Sequence, residues 1–450
     1  MRRIFCLMFC VFFSLGFSLP SLGAVPSGAP ESGGEILVLT LEEAVSRALD
    51  NSLNLKKSRI DLSTADYSSK RLWAEIFPTL NGTAGLNYQA NNVSREGMKF
   101  EDPNFSYSTS FGLTFNLNAG VPYAMKLLKL AYQTQLLGYE DASRQLEIET
   151  AKSFFTLIAG RENLTQLEET RKLAEQQFEK NQTAFRSGII PERTLLQSQL
   201  SVETANYNLS TAQTTYDNQL NQFLTSLGIP QDAVVVLEGS FAVVRIDEDP
   251  EELIREYLPR RPDIVKQRQE IERLEYTEKQ GALSAKAPSL SLQSQWRGGS
   301  GSGGISADFT DSITGGVSVS IPISPWIPGT KSAQQIRGAE ANVEKARLEL
   351  QNIEDTASAQ IRSYTASLRN SWNSLEIARL RLNIAERTYE LTELGFQNGA
   401  VDFLDLEAIR NDLASARQQL LERERDYQIT TLDLAKALNR DWKQFTRSEG

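Results

Sequence analysis

FSYSTSFGLTFNLN, residues 105–118, alternates apolar and polar side chains almost without fault. Phe105, Tyr107, Phe111, Leu113, Phe115 and Leu117 fall on one face of an extended chain, and Ser106, Ser108, Ser110, Thr114, Asn116 and Asn118 on the other. Three further stretches read the same way. Leu80, Ala84, Leu86 and Tyr88 oppose Asn81, Thr83, Asn87 and Gln89; Leu290, Leu292 and Trp296 oppose Ser291, Gln293 and Gln295; Ile313, Val317, Val319, Ile321 and Ile323 oppose Thr314, Ser318 and Ser320. The spacing predicts strands over about 79–89, 105–118, 289–297 and 313–323, each near the roughly ten residues that a tilted strand needs to cross a bilayer.

Two soluble hairpins lying on a core would alternate as well. What separates the readings is the polar face, which carries Ser, Thr, Asn and Gln with almost no charge, as a wet lumen does. The joining stretches QANNVSREGMKFEDPN and RGGSGSGGISADFTDS are long and hydrophilic, like the external loops of an outer-membrane barrel. The expected lipid-facing positions are Phe111, Leu113, Phe115, Val317, Val319 and Ile321. Four strands cannot close a barrel, and an open edge is not tolerated in lipid, so closure requires several chains.

Outward from the strands the chain repeats itself after roughly 210 residues. Phe185 recurs as Phe396, Gly188 as Gly399, Leu195 as Leu406, Ala205 as Ala416, Tyr216 as Tyr427 and Leu227 as Leu438. Long segments nearly free of Pro and Gly predict helices over about 124–184, 192–228, 330–396 and 403–439. Apolar residues recur in sevens along them: Ile361, Leu368, Leu375, Leu382, Tyr389 and Phe396; Leu195, Val202, Leu209, Tyr216 and Phe223; Leu406, Leu413, Leu420, Tyr427 and Leu434. Leu157, Leu164, Phe178 and Phe185 continue the pattern in the first half, broken by Arg171. A seven-residue stripe keeps facing its neighbour only if helices supercoil, so these are expected to pack as coiled coils. Each helix pair turns at a glycine, in FRSGIIPERTLL around Gly188 and FQNGAVDFLDLE around Gly399, at the end remote from the strands. The stretch 229–249 interrupts the helical pattern and is expected to pack outside the helices.

Arg2 and Arg3, an apolar run from Ile4 to Leu19, and Ser21-Leu22-Gly23-Ala24 read as a secretory signal peptide over 1–24. A membrane-anchor helix fits less well with the small residues and the Pro/Gly/Ser stretch that follow. Cys6 and Cys10 both lie in that leader, and the chain has no histidine. Disulfides, Cys/His zinc sites, Cys nucleophiles and His-dependent triads are thereby excluded from the mature chain. Without the two leader arginines, 47 basic against 57 acidic residues becomes a net charge of about −12, which argues against nucleic-acid binding. After the leader no stretch is long and apolar enough for a transmembrane helix.

With LTLEEAVSRALDNSLNL opening the first half, LPRRPDIVKQRQEI opening the second, and Pro78-Thr79-Leu80 and Pro288-Ser289-Leu290 leading into the strands, the chain resembles the TolC-like outer membrane efflux protein family over essentially its whole mature length. The expected layout is a leader (1–24), a linker (25–38), a first repeat (39–228), an inter-repeat segment (229–249), a second repeat (250–440) and a tail (441–450). The fold class is mainly α with membrane β: helical hairpins forming an α-barrel, plus four membrane strands per chain. The resemblance implies a homotrimer with a twelve-strand β-barrel and a helical tunnel across the periplasm. It would serve as a passive duct for efflux of small molecules or type I secretion of proteins. Its partners would be outer-membrane lipid, a periplasmic adaptor and an inner-membrane pump of the RND, ABC or MFS type; no cofactor, metal or catalytic residue is implied.

In the family prototype a Val-Asp-x-Leu-Asp stretch places rings of aspartates at the tunnel's periplasmic entrance, and Val401-Asp402-Phe403-Leu404-Asp405 reproduces it. Asp402 and Asp405 share one helix face, although an N-terminal cap and a first-turn acid would have the same sequence. The gate hairpin would comprise Phe396 and Gly399. Phe396 stands where the prototype has a latch tyrosine, and the arginine of that latch has no counterpart here. Adaptor docking is expected at the tips, around Gly188, Gly399, Leu195 and Leu406. Two other readings are a secreted coiled-coil structural or adhesive protein, which leaves the alternating strands unexplained, and an exported enzyme. For the enzyme, acids such as Asp402 and Asp405 or Glu42 and Glu43 lack a nearby nucleophile or Gly-rich loop. With only Met98 and Met125 beyond the leader, a soft-metal relay is disfavoured.

Overall fold

A computed structural model describes residues 37–89, 104–241, 243–300 and 308–443. The leader, both strand-connecting loops apart from their ends, and the last residues of the tail lie outside the described residues. Both halves run through the same series of elements. The first contains β1 (Leu37–Leu39), α1 (Leu41–Asn51), α2 (Leu53–Lys70), β2 (Thr79–Gln89), β3 (Asn104–Leu117), α3 (Val121–Arg186) and α4 (Glu192–Leu227). The second contains β4 (Val235–Leu237), α5 (Pro250–Tyr257), α6 (Pro262–Lys286), β5 (Ser289–Ser300), β6 (Phe309–Ser320), α7 (Lys331–Gln397) and α8 (Phe403–Leu438).

The opening motif of the first half is a helix start. Thr40 Oγ1 accepts from the backbone N–H of Glu43, and Glu43 Oε2 accepts from the N–H of Thr40, a reciprocal capping box. Helices α3 and α7, 66 and 67 residues long, each reach about 100 Å. Neither is covered by one partner. The tip-side half of α3 packs on α4, and its sheet-side half on α2. In the same way α7 packs on α8 and then on α6, while α3 meets both α8 and α6. The result is a helical layer bounded by α7 on one side and by α4 and α2 on the other.

The shorter helices meet end to end. Asn51 Nδ2 donates to the Leu227 carbonyl at 2.8 Å, satisfying one of the orphan acceptors at the α4 C-terminus. In the second half Arg261 of the Arg-Arg-Pro-Asp motif does the same for α8, donating from Nη1 to the Ala437 carbonyl at 3.1 Å. Its other donors reach Asp263 (3.1 and 2.7 Å) and Gln360 (3.1 Å), and the side chain is buried at 8% exposure. A cation at a helix C-terminus is favoured by the helix dipole. Burial pushes the Asp263 carboxyl up, but the Arg261 guanidinium and the Ile264 N–H more than offset this, so its pKa lies below the usual carboxylate range. The pair's stabilisation is therefore present above the ordinary carboxylate pKa and lost as pH falls through the depressed value.

The densest core lies at the level of these junctions. Phe154, Leu157, Ile158, Phe223, Leu224 and Leu227 pack with Leu39 and Leu237. Ile148, Phe155, Ile361, Leu368 and Leu434 pack with Trp442. Parts of the two stretches expected as linkers, 25–38 and 229–249, contribute to this core, through Leu37, Ile229, Val235 and Leu237. Leu37–Leu39 and Val235–Leu237 form a parallel strand pair, and Leu39, Ile229 and Leu237 are buried. The buried Tyr427 hydroxyl holds the following segment, donating to the Val244 carbonyl at 2.7 Å and accepting from the Ile246 N–H at 3.2 Å.

The stripes in sevens are buried as expected in the second hairpin, from Ile361, Leu368 and Leu375 on α7 to Leu406, Leu413 and Tyr427 on α8. The first hairpin departs from the pattern. Near its tip Phe185 is exposed, and the buried face passes instead through Ala174, Gln177 and Asn181, with Gln177 Nε2 donating to Asn181 Oδ1 at 3.0 Å. The reason lies at Arg171, which occupies the stripe position and pairs along the helix with Glu175 at 2.7 Å. A charged side chain at that position breaks the apolar stripe.

The helix junction is testable. Arg261→Ala strips donors from Asp263, Gln360 and the Ala437 carbonyl together, and should cost about 1.5–3 kcal/mol in chemical denaturation followed by far-UV circular dichroism. Arg261→Lys should recover less than half of this, because one ammonium cannot span three acceptors. A wild-type-like midpoint for the alanine variant would remove the junction from the account.

Candidate functional site: a two-faced sheet and two helical tips

The four long strands form one antiparallel sheet in the order β2-β3-β5-β6. Register decides whether the alternations of separate strands add up, because a one-residue slip would turn a strand's apolar set to the other face. They do add up. Leu80 lies opposite Leu113, Phe111 opposite Trp296, Phe115 opposite Leu292, and Leu117 opposite Leu290, which in turn faces Val319. Phe111 and Trp296 stack at 5.8 Å. The polar rows are equally continuous: Thr83 pairs with Ser110 and Ser110 with Arg297, and Asn81 pairs with Gly112 and Gly112 with Gln295.

On the apolar face Val317 and Val319 are 71% and 63% exposed and Phe111 63%, with Leu113 exposed and Phe115 half-buried. Large apolar side chains bared to this extent over a whole sheet face need an apolar environment. Ile321 is exposed too, but β6 ends at Ser320, so Ile321 and Ile323 follow the strand instead of belonging to it. Both strands of the second pair reach further outward than expected: Gly298–Ser300 and Phe309–Ser312, beyond the expected strand limits, are paired. The glycines there allow it, since Gly299 approaches the Tyr107 carbonyl so closely that a Cβ would clash with it.

Strands β2 and β6 each have one neighbour, so the sheet ends in two unpaired backbone edges. The helical layer has two matching edges. On one side Leu53, Ile60 and Tyr67 of α2 and Leu196, Leu200 and Tyr207 of α4 are exposed. On the other, Ile377, Ile384 and Leu391 of α7 recur in sevens, the first and last followed three residues on by Leu380 and Leu394, all exposed. Helix α7 therefore carries two coiled-coil stripes, one buried against α8 and one with no partner among the described residues.

Both tips are built alike. Gly188 and Gly399 follow α3 and α7 with φ of +72° and +73°, and an added Cβ would meet nothing within 4 Å. Backbone conformation, not space, requires glycine there. Backbone N–H groups of Ile189 and Ala400 close the turns on the carbonyls of Ala184 (2.9 Å) and Gly395 (2.8 Å). Beyond the second turn Asp402 is the N-cap of α8, its Oδ1 accepting the Asp405 N–H at 2.9 Å. Both carboxylates are exposed at the start of α8, and Phe396, in the last turn of α7, is half-buried. The expected docking residues are turned inward: Leu406 is 2% exposed and Leu195 half-buried, while Ile189, Leu196 and Leu404 face out. In each hairpin the repeat-related leucine lies towards the coiled-coil seam, while a nearby leucine, Leu196 or Leu404, faces outward.

Between the hairpins a cleft of about 710 Å³ runs along α3 and α8, lined by Glu386, Glu390, Arg410 and Arg417 among others. Arg410 is engaged by Glu407 at 3.3 Å. Among the described residues no group of His, Cys, Asp and Glu side chains could hold a metal ion, and no helix is long and apolar enough to cross a membrane.

An antiparallel sheet with one lipid-suited face, set on the end of a layer of hundred-ångström helices, defines an outer-membrane channel subunit with a periplasmic helical part. The family model for outer membrane efflux proteins matches residues 44–229 and 253–440, and the chain belongs to that family. It is 20% identical over 416 residues to the outer membrane protein TolC of Escherichia coli K12, covering 88% of this chain and 82% of TolC. With the cation efflux system protein CusC of Escherichia coli O157:H7 it shares 24% identity over 418 residues, 89% of this chain and 86% of CusC. The crystal structure of the Campylobacter jejuni CmeC outer membrane channel superposes with a TM-score of 0.70 at 19% identity, covering 90% of this chain and 88% of CmeC. The family consists of efflux channels, so the exported-enzyme reading falls away.

The two sheet faces make opposite demands on a charge. Leu113→Arg or Val319→Arg should block membrane assembly at a cost of about 2–4 kcal/mol near the bilayer midplane, whereas Thr114→Arg or Ser318→Arg should assemble. Heat-modifiable gel migration of outer-membrane fractions reads the difference; equal tolerance on both faces would mean that the sheet does not lie in lipid.

Proposed function

We infer that three copies of this chain close into one passive duct, a twelve-strand barrel through the outer membrane continued by a ring of helices across the periplasm. The observation that carries this reading is that every edge of the single chain is unfinished in the same direction. Among the described residues strands β2 and β6 lack outer partners, and the α4–α2 edge and the second stripe of α7 lack helical ones. The strands alternate in direction, so β6 of one copy meets β2 of the next antiparallel, and α7 meets the neighbour's α4 and α2 by the same rotation. Heterologous edges that close by rotation form a ring. Three copies follow from the family resemblance and suit the need for more strands than one chain provides.

The duct would take cargo from an inner-membrane pump of the RND, ABC or MFS type through a periplasmic adaptor gripping the tips near Gly188 and Gly399. The cargo would be small molecules or secreted proteins. The CusC likeness raises cation efflux, but beyond the leader this chain has no His or Cys and only Met98 and Met125 as soft donors, which does not suit a soft-metal relay.

The assembly is measured directly by mass in detergent, where a trimer is expected; a monomer, or a dimer with eight strands, would overturn the reading. At the entrance, Asp402 and Asp405 from three copies would place six carboxylates around one constriction and favour cations, divalent and trivalent ones most. Asp402→Asn with Asp405→Asn should lower cation preference and relieve block by trivalent cations in planar-bilayer recordings. Because asparagine caps a helix nearly as well as aspartate, trimer yield should not change. Unchanged selectivity and block would leave Asp402 as a helix cap only.

A further inference from the structure

The polar face of the sheet is uniform apart from one residue. Every described position along it on β2, β3, β5 and β6 is Ser, Thr, Asn, Gln or Gly, except Arg297. It lies on β5 between Ser110 of β3 and Ser312 of β6, three residues below the outer end of the strand at Ser300, or about 10 Å in from the rim. A cation at membrane depth on a barrel strand is a functional position by default.

Arg297 is also held in place. Its Nη2 donates to Gln295 Oε1 at 3.2 Å, and Gln295 Nε2 donates to Ser110 Oγ at 3.4 Å. Ser110 Oγ is in turn 2.7 Å from Thr83 Oγ1. One hydrogen-bonded row thus crosses β5, β3 and β2 on the polar face and ends on the guanidinium. No carboxylate pairs with it among the described residues. The nearest acids along the strand do not compensate it: Asp311 lies on the other face, accepting from the Trp296 indole at 3.3 Å, and Asp308 lies beyond the end of β6.

We propose that Arg297, repeated around the barrel, forms a positive ring near the outer mouth of an otherwise neutral lumen and makes the exit selective for anionic solutes, such as small carboxylates and sulfonates. The proposal rests on the trimeric-barrel reading above. Rings of Arg or Lys select anions in water-filled pores, and low-dielectric walls strengthen their field. Gln295 is a positioning residue: it keeps the guanidinium along the wall, so that the charge lines the lumen without plugging it.

The test is the reversal potential under a potassium chloride gradient across a planar bilayer. Wild type is compared with Arg297→Gln and Arg297→Glu, in the native background and with Asp402→Asn and Asp405→Asn, so that the entrance acids do not mask the exit. The chloride-to-potassium permeability ratio should fall several-fold in Arg297→Gln and further in Arg297→Glu. Exchanging chloride for a small sulfonate should reduce wild-type anion current less than that of the variants. If Arg297→Glu fails to assemble, Arg297→Gln carries the comparison alone, since it keeps the polar face uncharged. Conducting trimers whose reversal potential in the Asp402→Asn/Asp405→Asn background is the same with and without Arg297→Gln would overturn the role of Arg297 and leave the duct intact. A wild type that is monomeric or forms no channel would overturn the barrel itself, and this proposal with it.

Discussion

A strand edge cannot be left open in hydrocarbon, and this constraint governs the rest of the molecule. Each unpaired backbone N–H or C=O costs several kcal/mol where no water can reach it. The sheet of this chain ends in two such edges, on β2 and β6, and its apolar face keeps Leu86 at 81% and Ile313 at 77% exposure. A single chain is therefore incomplete in the environment to which its own side chains are suited. The unpartnered stripes on α4, α2 and α7 carry the same incompleteness away from the membrane. Sheet and helices ask for the same neighbour, and this agreement between two kinds of secondary structure is the strongest physical argument for a ring.

The long helices are a consequence. A tunnel that crosses the periplasm needs elements near a hundred ångströms long, and among the described residues only α3 and α7 have that length. The chain covers each long helix with two shorter ones joined end to end. Such a joint would leave carbonyls of the distal helix unsatisfied, and the two halves solve this with different residues. Asn51 reaches one carbonyl with an amide, whereas Arg261 reaches a carbonyl, a carboxylate and an amide at once. The second joint is the more tightly tied. At the tips the second hairpin is again the better packed, with Phe403, Leu406 and Leu413 buried where the first hairpin buries Gln177 and Asn181.

Much of this was legible in the sequence because it rests on periodicity. Period two over residues 105–118 and period seven along 361–396 read directly as a two-faced strand and a coiled-coil helix, and Gly188 and Gly399 marked the turns. Helices α3, α4, α7 and α8 lie within a few residues of their expected limits. The misses share a cause. The β1–β4 pair is three residues per strand, too short to show a period. The extension of β5 and β6 passes through glycines that read as loop. Arg261 looked like a family signature, and nothing local told that its guanidinium ends on another helix 176 residues away.

Side-chain direction was the other limit. Leu195 and Leu406 were expected at the tips, but a stripe position says only that a residue faces some helix, and Leu406 is buried and Leu195 half-buried against the hairpin. Arg297 was hidden at the end of a strand that seemed to stop there. The sequence by itself determined which residues alternate, which recur in sevens and where the chain turns, because backbone geometry imposes those periods locally. Only the tertiary structure decided register across the sheet, which stripe is buried and which is left open, and which charges stand alone, because each depends on a partner far away in the chain.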